Sequence, residues 1–479
     1  MTLLKRRKKT ISTVYIIYSV QTQKRIIASH IKIKTKMKVK NLLLAGLAVA
    51  AMTACSNDID EIVDNGIQTP TGEQATMRIN FAVPAIGGTR GVTDGGKSEG
   101  KPEESAITTA TIVLDYGADK IIVKDNLSLT GSADASSKVI AASTPAFEVT
   151  AGSGITIYAF VNPSDDLRKN INAAKSAADF QALHIGAQSL PQEGLDYLVS
   201  SIAKDKNFLM SGSIGNVNIK AGDDKNEATV TVNRVSAKLD EQTKAGTAFK
   251  FSEPTVTVKG GSEWLAVKFI GHSYSNLLKD SYVLSDNNSW TGDSPYLQAY
   301  KKGYKWITSQ ITYCLENKVG GAWDTAKATA TNVHYKAQVY YASGDEENPT
   351  YTKAETFFVK TSTSYDDPEN PIVKQTIYKN WADMKADFSG LSDTEGDAEY
   401  LKNNDIVKFV NGECYYEAPI QHATAGCSII RNNWYKLTVT TVKDLGWPTD
   451  VPPTPKADTK LTVKANIEPW SININNIEL

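Results

Sequence analysis

The sequence predicts a mainly β protein made of two β-sandwich domains, with a few short helices and a C-terminal strand extension. Three observations predict it. Thr, Val, Ile and Tyr are abundant; short alternating apolar and polar runs recur; and clusters of Gly, Asn, Asp and Pro separate them. The length beyond the leader suits two or three domains of about 100–200 residues each.

The first element is an address rather than a fold. From Met37 the chain carries Lys38 and Lys40, an apolar run from Leu42 to Met52, and Thr53-Ala54-Cys55. Cations that stay inside, an apolar segment for the translocon and small residues before a cysteine make a lipoprotein signal, with the lipid on Cys55. Met52 stands where Leu is usual. The run is too short to span a bilayer as a mature helix. Residues before Met37 do not fit a signal, because Lys24 and Arg25 interrupt their apolar stretch; translation is expected to start at Met37. Residues 1–54 hold 12 Lys and Arg and no Asp or Glu, so of 52 cations and 53 anions the remainder keeps 40 and 53, a net charge of −13. Such a surface repels nucleic acid, which is excluded as a partner.

Residues 55–90 read as a lipidated tether followed by a strand. Ser56 to Gln74 is polar and aperiodic, and its acidic start, Asp58 to Glu61, reads either as an export tag or as a solvated tether. Then Met77, Ile79, Phe81 and Val83 alternate with Thr76, Arg78, Asn80 and Ala82, the period of a strand with one buried face. Pro84 ends it, and the loop Gly87-Gly88-Thr89-Arg90-Gly91 follows.

The first sandwich is assigned to 91–239, with strands at Thr111 to Leu114, Ile155 to Val161 and Ala228 to Val235. A helix is expected from Asp165 to Leu183, capped by Ser164. The second, 240–446, has strands near Trp264 to Ile270, Val333 to Tyr341, Thr356 to Val359, Ile406 to Val410 and Trp434 to Val442. Asn411-Gly412 predicts a hairpin joining Ile406 to Val410 with Cys414 to Tyr416.

Residues 447–479 begin with a stiff linker, Trp447-Pro448 and Val451-Pro452-Pro453-Thr454-Pro455. Beyond it Leu461, Val463, Ala465 and Ile467 alternate with polar residues. Pro469 is expected to break the run, which resumes shifted as Trp470, Ile472 and Ile474, giving two short strands.

Catalytic ingredients are scarce, and neither an enzyme, a metal nor a cofactor is expected. His30, His184, His272, His334 and His422 lack ligand spacing to one another or to a cysteine. The run Asp286 to Asp293 has Trp290 where a calcium loop needs an oxygen. Cys414 and Cys427 either pair as a disulfide, closing a loop worth roughly 3 kcal/mol, or stay as buried thiols like Cys314. Trp290, Tyr296, Tyr300, Tyr304 and Trp306 either form a sugar-stacking platform or pack and coat a sheet.

The two terminal strands, Met77 to Val83 and Leu461 to Ile467, each offer four apolar side chains at alternate positions over one length. Both fit one groove, which points to strand replacement between subunits.

At these residues the sequence resembles the fimbrillins. The resemblance rests on the Cys55 signal, the alternating strand with its Arg90 loop, Phe208-Leu209-Met210-Ser211-Gly212, Arg234-Val235-Ser236-Ala237-Lys238, and the strip from Cys427 to Val439. More narrowly, they look like the major subunit of the Mfa-type minor fimbrium of type V pili. The resemblance implies transthyretin-like sandwiches and an outer-membrane lipoprotein precursor that an arginine-specific protease cuts after Arg90. It further implies that the strand of Met77, Ile79, Phe81 and Val83 departs. A donor strand from another subunit (Leu461, Val463, Ala465, Ile467, Trp470, Ile472, Ile474) then takes its groove in an extracellular fimbrium supporting adhesion and biofilm. Implied partners are copies of the same chain, accessory fimbrial subunits, the protease, the lipoprotein export machinery and a host or bacterial receptor. Arg90 as an ordinary loop arginine, and the chain as a monomeric glycan- or protein-binding lipoprotein or a tip adhesin, are the alternatives.

Overall fold

The structure, a computed structural model, describes residues 72–83, 98–99, 107–449 apart from short stretches (the longest 187–202, 285–295 and 298–305), and 461–471. Cys55, expected to carry the lipid, the Arg90 loop, Ile472 and Ile474 lie outside the described residues. All that follows belongs to one compact unit, residues 66–479.

The alternation of the first run does become a strand, β1 (Gln74–Val83), longer than expected by the residues before Met77. It lies inside its sheet. The sheet also contains β2 (Thr130–Asp134), β3 (Val139–Ser143), β4 (Phe147–Thr150) and β5 (Asn226–Thr231). β1 pairs in parallel with β5 on one side and antiparallel with β3 and β4 on the other. The facing sheet is built on Thr109–Asp115, Ile121–Ser128, Gly152–Val161 and Met210–Ile219. Residues 157–161 of that sheet are buried without a break, because one face meets the β1 sheet while Tyr158 and Phe160 on the other meet the helices.

The expected helix is two. α1 (Asp165–Ala173) is capped by Ser164, whose hydroxyl accepts from the Leu167 N–H, as predicted. α2 (Ala177–Ala182) starts on a second serine, Ser176, in a reciprocal box with Asp179. Leu167, Ile171 and Phe180 anchor the pair.

The C-terminal half repeats one feature of the first. Its opening strand β6 (Ser236–Glu241) runs parallel to its closing strand β7 (Asn433–Val442), with Lys238 opposite Trp434 and Leu239 opposite Tyr435. β6 crosses the 239/240 boundary read from sequence and belongs to the second half's sheet. Two further sheets cover it, one around Trp264–Ser275 and Asn332–Gly344, the other around Phe357–Ser364 and Ile372–Tyr378.

Two expectations are corrected, and one open alternative is decided. Asn411 and Gly412 adopt φ of 57° and 65° and close a turn with the Glu413 N–H on Val410 O at 3.1 Å. Yet Ile406–Phe409 pairs with Phe357–Ser364 while Glu413–Pro419 pairs with Asn332–Gly344, so the turn switches sheets instead of closing a hairpin. A Cβ on Gly412 would sit 2.1 Å from the Ala354 carbonyl oxygen, so the backbone needs glycine there for space as well as for φ. Cys414 and Cys427 do not pair: both are free and buried, Cys414 near the Tyr416 hydroxyl and Cys427 beside Ala326 and Ala330. Pro469 does not split the last run, which forms one strand, β8 (Leu461–Ser471).

The halves are joined through buried polar contacts. His184–Gly186 pairs with Asp280–Tyr282, and the Ser211 hydroxyl donates to Val283 O. Arg431, whose side chain is 5% exposed, donates from Nη1 to Val283 O at 2.7 Å, from Nη2 to Tyr282 O at 2.8 Å and from Nε to Glu316 Oε2 at 3.0 Å. Nearby, Arg234 Nη1 meets Asn432 Oδ1 at 3.0 Å, and Lys238 Nζ lies 3.7 Å from the centre of the Trp434 ring. Replacing Arg431 with alanine strips Glu316 of its closest cation and takes a charged donor from each of the Tyr282 and Val283 carbonyls; chemical denaturation should then show a loss of about 3 kcal/mol.

Candidate functional site

The groove that holds β1 is the candidate site. Met77, Ile79 and Phe81 are 1%, 0% and 1% exposed, and they share one core with Ile112, Leu114, Ile157 and Val230. Burying three such side chains contributes roughly 5–9 kcal/mol before entropy is counted. The backbone is held from both sides. Met77 stands opposite Asn226 and Phe81 opposite Val230 in the parallel ladder, while Met77 stands opposite Phe147 and Asn80 opposite Ser143 in the antiparallel one.

Between β3 and β4, Thr144 keeps the pairing intact. Its N–H donates to Ile79 O at 2.9 Å, and its hydroxyl accepts from the Ile79 N–H at 3.0 Å. Asn226 Nδ2 donates to Thr76 O at 3.1 Å, and the Val232 N–H to Ala82 O at 3.1 Å. On the outer face Asn80 ties three strands together: its Nδ2 donates to Glu227 Oε2 at 3.2 Å, and its Oδ1 accepts from the Ser143 hydroxyl at 2.8 Å. Alternation identifies Asn80 as an outer residue, but nothing in the sequence identifies Ser143, Thr144 or Glu227 as its neighbours, since those partners are distant in the chain.

The C-terminal run sits elsewhere. β8 lies antiparallel to β7 of its own chain, with Val463 opposite Val439, Ala465 opposite Leu437 and Ile467 opposite Tyr435. On its other side, among the described residues, Ser98 and Glu99 pair at Trp470 and Ser471. Pro469 stands opposite Asn433 within the β7 ladder. Of the aromatic residues singled out in the sequence, Trp306 rests against Tyr415 with ring centres 5.8 Å apart; Trp290, Tyr300 and Tyr304 lie outside the described residues.

A catalytic reading has one cluster to test. His334 Nε2 is 2.7 Å from Ser275 Oγ and 3.8 Å from Glu417 Oε1. Both approach the same ring nitrogen and the site is buried, so the arrangement lacks the base-and-orienter geometry of a triad and access for a substrate. Burial holds His334 down to about 3 and pushes Glu417 up to about 7, partly countered by the bond from Asn332 Nδ2. Among the described residues no His, Cys, Asp and Glu group is arranged to hold a metal.

With this geometry established, the comparisons can be stated. The family model described as "Major fimbrial subunit protein type IV, Fimbrillin, C-terminal" matches residues 407–476. Residues 407–476 are thus similar to the C-terminal region of fimbrillins. That region contains β7, β8 and the strip from Cys427 to Val439, one of the segments on which the sequence resemblance rests. No curated protein matches the chain. Among solved structures, a Parabacteroides distasonis protein named for cell adhesion aligns at 14% identity over 83% of this chain and 100% of its own, TM-score 0.45. A fimbrilin of Porphyromonas gingivalis aligns at 16% over 85% and 99%, TM-score 0.39, and the C-terminally truncated tip fimbrial protein of that organism at 10% over 83% and 100%, TM-score 0.39.

The Glu417 site makes a pH prediction. A carboxyl that binds its proton more tightly when folded favours the fold below the unfolded pKa, near 4.5, and loses that advantage as pH rises toward 7. Relative to Glu417→Gln, the parent protein should therefore lose about 2 kcal/mol between those limits in denaturation titrations, and the difference should be flat above pH 8.

Proposed function

We propose that this chain is a fimbrial shaft subunit, structural rather than catalytic, that travels as a lipoprotein on Cys55 and assembles by strand replacement after cleavage at Arg90. The observation that carries the reading is β1: an interior strand, laddered on both sides, connected onward through the glycine-rich segment containing Arg90. Once cut there, β1 can leave with the lipid. The vacated groove then exposes two ladder edges and an apolar floor, which only another alternating strand can satisfy.

β8 of a neighbouring copy has the required pattern. On its own chain it holds a ladder along one side and, among the described residues, two residues along the other, whereas the groove offers ladders along both. A strand seated there is paired along both edges and covers the apolar floor. The fimbrillin C-terminal region supports a place at the extracellular surface among fimbrial subunits. Partners on this reading are further copies, accessory subunits, the arginine-specific protease, the export machinery, and a host or bacterial receptor reached in adhesion and biofilm. The same seating of β8 on its own chain also suits a second reading, a surface lipoprotein that stays monomeric.

Sequencing the N-terminus of the surface form separates the two. The shaft reading expects Gly91, with Arg90→Ala accumulating an uncut, unassembled precursor, and a chain ending before Lys456 that folds without forming filaments. A mature protein that begins at Cys55, or filaments made normally by the shortened chain, would overturn it.

A further inference from the structure

The outer face of β1 matches the C-terminal strand as closely as the inner face does. Residues 76–81 read Thr-Met-Arg-Ile-Asn-Phe, and residues 462–467 read Thr-Val-Lys-Ala-Asn-Ile. Without a gap, both run Thr, apolar, cation, apolar, Asn, apolar. In the ladder, Arg78 stands opposite Glu227 and Asn80 opposite Ser143, and Asn80 bonds the side chains of both Glu227 and Ser143. The groove therefore presents a carboxylate and a hydroxyl at fixed places along its rim, matched to a cation and a carboxamide two residues apart.

Resting on the strand-replacement reading, we infer that the incoming strand of a second copy docks in one register, Asn466 taking the place of Asn80 and Lys464 that of Arg78. Glu227 and Ser143 set that register. Apolar alternation alone does not, since sliding by two residues keeps every side chain on its face. A slide one way brings Glu468 to the Asn80 position, a second carboxylate beside Glu227. A slide the other way brings Lys464 there, and the Ser143 hydroxyl loses its acceptor. Unshifted, Val463, Ala465 and Ile467 fall on the buried Met77, Ile79 and Phe81 positions, and Pro469 falls on Val83, the last residue of β1. The later Ile472-Asn473-Ile474 also brackets an asparagine with apolar residues. Seated with Asn473 at the Asn80 position, however, it sets Glu468 on the buried Ala75 site and Pro469 opposite Glu148 within the ladder.

Mixing two single variants tests the register, because only a contact between copies can then be trapped. Subunits carrying Ser143→Cys are cleaved and assembled with subunits carrying Asn466→Cys, Lys464→Cys or Asn473→Cys, oxidised, and run without reductant. The native cysteines Cys314, Cys414 and Cys427 are buried and do not compete. A directly opposite ladder pair brings its Cα atoms to roughly 4.5–5.5 Å, within disulfide reach. A dimer band from Asn466→Cys alone is expected. Bonding through Asn473→Cys instead, or filaments with no trapped pair at 466, overturns the register while leaving strand replacement standing. Failure of the cleaved parent protein to form filaments refutes strand replacement and the register with it. As an independent readout, Glu227→Lys should slow assembly roughly two- to fivefold, and Lys464→Glu in the incoming copy should restore it. Equal rates in all combinations would exclude Glu227 as a determinant.

Discussion

A strand in the middle of a sheet cannot be absent without consequence, and β1 is such a strand. Its backbone completes ladders with β5 on one side and β3 and β4 on the other, and its inner side chains fill the centre of the first sandwich. Backbone groups left unpaired in an apolar setting are costly, so the fold requires some strand in that place at all times. The requirement is for a pattern, not for a particular segment of chain. On the proposed reading, that difference lets a subunit be complete as a precursor and complete again in an assembly, through two different strands.

The rest of the molecule is held together by contacts that do not involve β1. The helices and the outer face of Gly152–Val161 share a continuous core with the C-terminal half, and Arg431 fixes the 282–283 backbone from the opposite side. None of the residues at that junction belongs to β1. Loss of the strand opens one side of one sandwich while the interface between the halves keeps its hydrogen bonds. The motif residues Arg234, Lys238, Arg431, Asn432 and Trp434, separated by nearly two hundred positions in sequence, meet around this junction. Among them the Arg234 bond to Asn432 crosses between the halves, while Arg431 and the Lys238–Trp434 pair hold the second half's side of the junction in place.

Period-two alternation made β1, β7 and β8 legible in the sequence, because each has one apolar and one polar flank. Ser164 as a helix cap was legible for the same kind of reason, a local rule satisfied within three residues. Reading failed where the deciding partner was distant. Asn411-Gly412 makes the turn its φ angles demand, but which sheets the flanking strands join is decided by Phe357–Ser364 and Asn332–Gly344. Pro469 sits in a strand because that strand is paired along β7, with Asn433 opposite the proline, a partnership the sequence run does not show. The spacing of Cys414 and Cys427 left a bridge and buried thiols equally open, and their separate packing environments decide for thiols. The groove's inner face was visible as four alternating apolar residues; its outer polar sites, Ser143 and Glu227, became visible only once the strands were side by side.

On the proposed reading, lipid and strand form one removable piece. The segment that anchors the precursor is continuous with the segment that blocks the groove, so a single cut after Arg90 releases the subunit from the membrane and makes it competent to accept a partner at the same moment. Separate cuts would allow an anchored chain with an open groove, or a free chain with a closed one; the first exposes a hydrophobic edge and the second cannot extend a filament. Placing the anchor upstream of β1, with the cleavable arginine downstream, removes both states by connectivity alone. In this design Cys55 specifies where the protein is delivered, and the strand it is tied to specifies when assembly can begin.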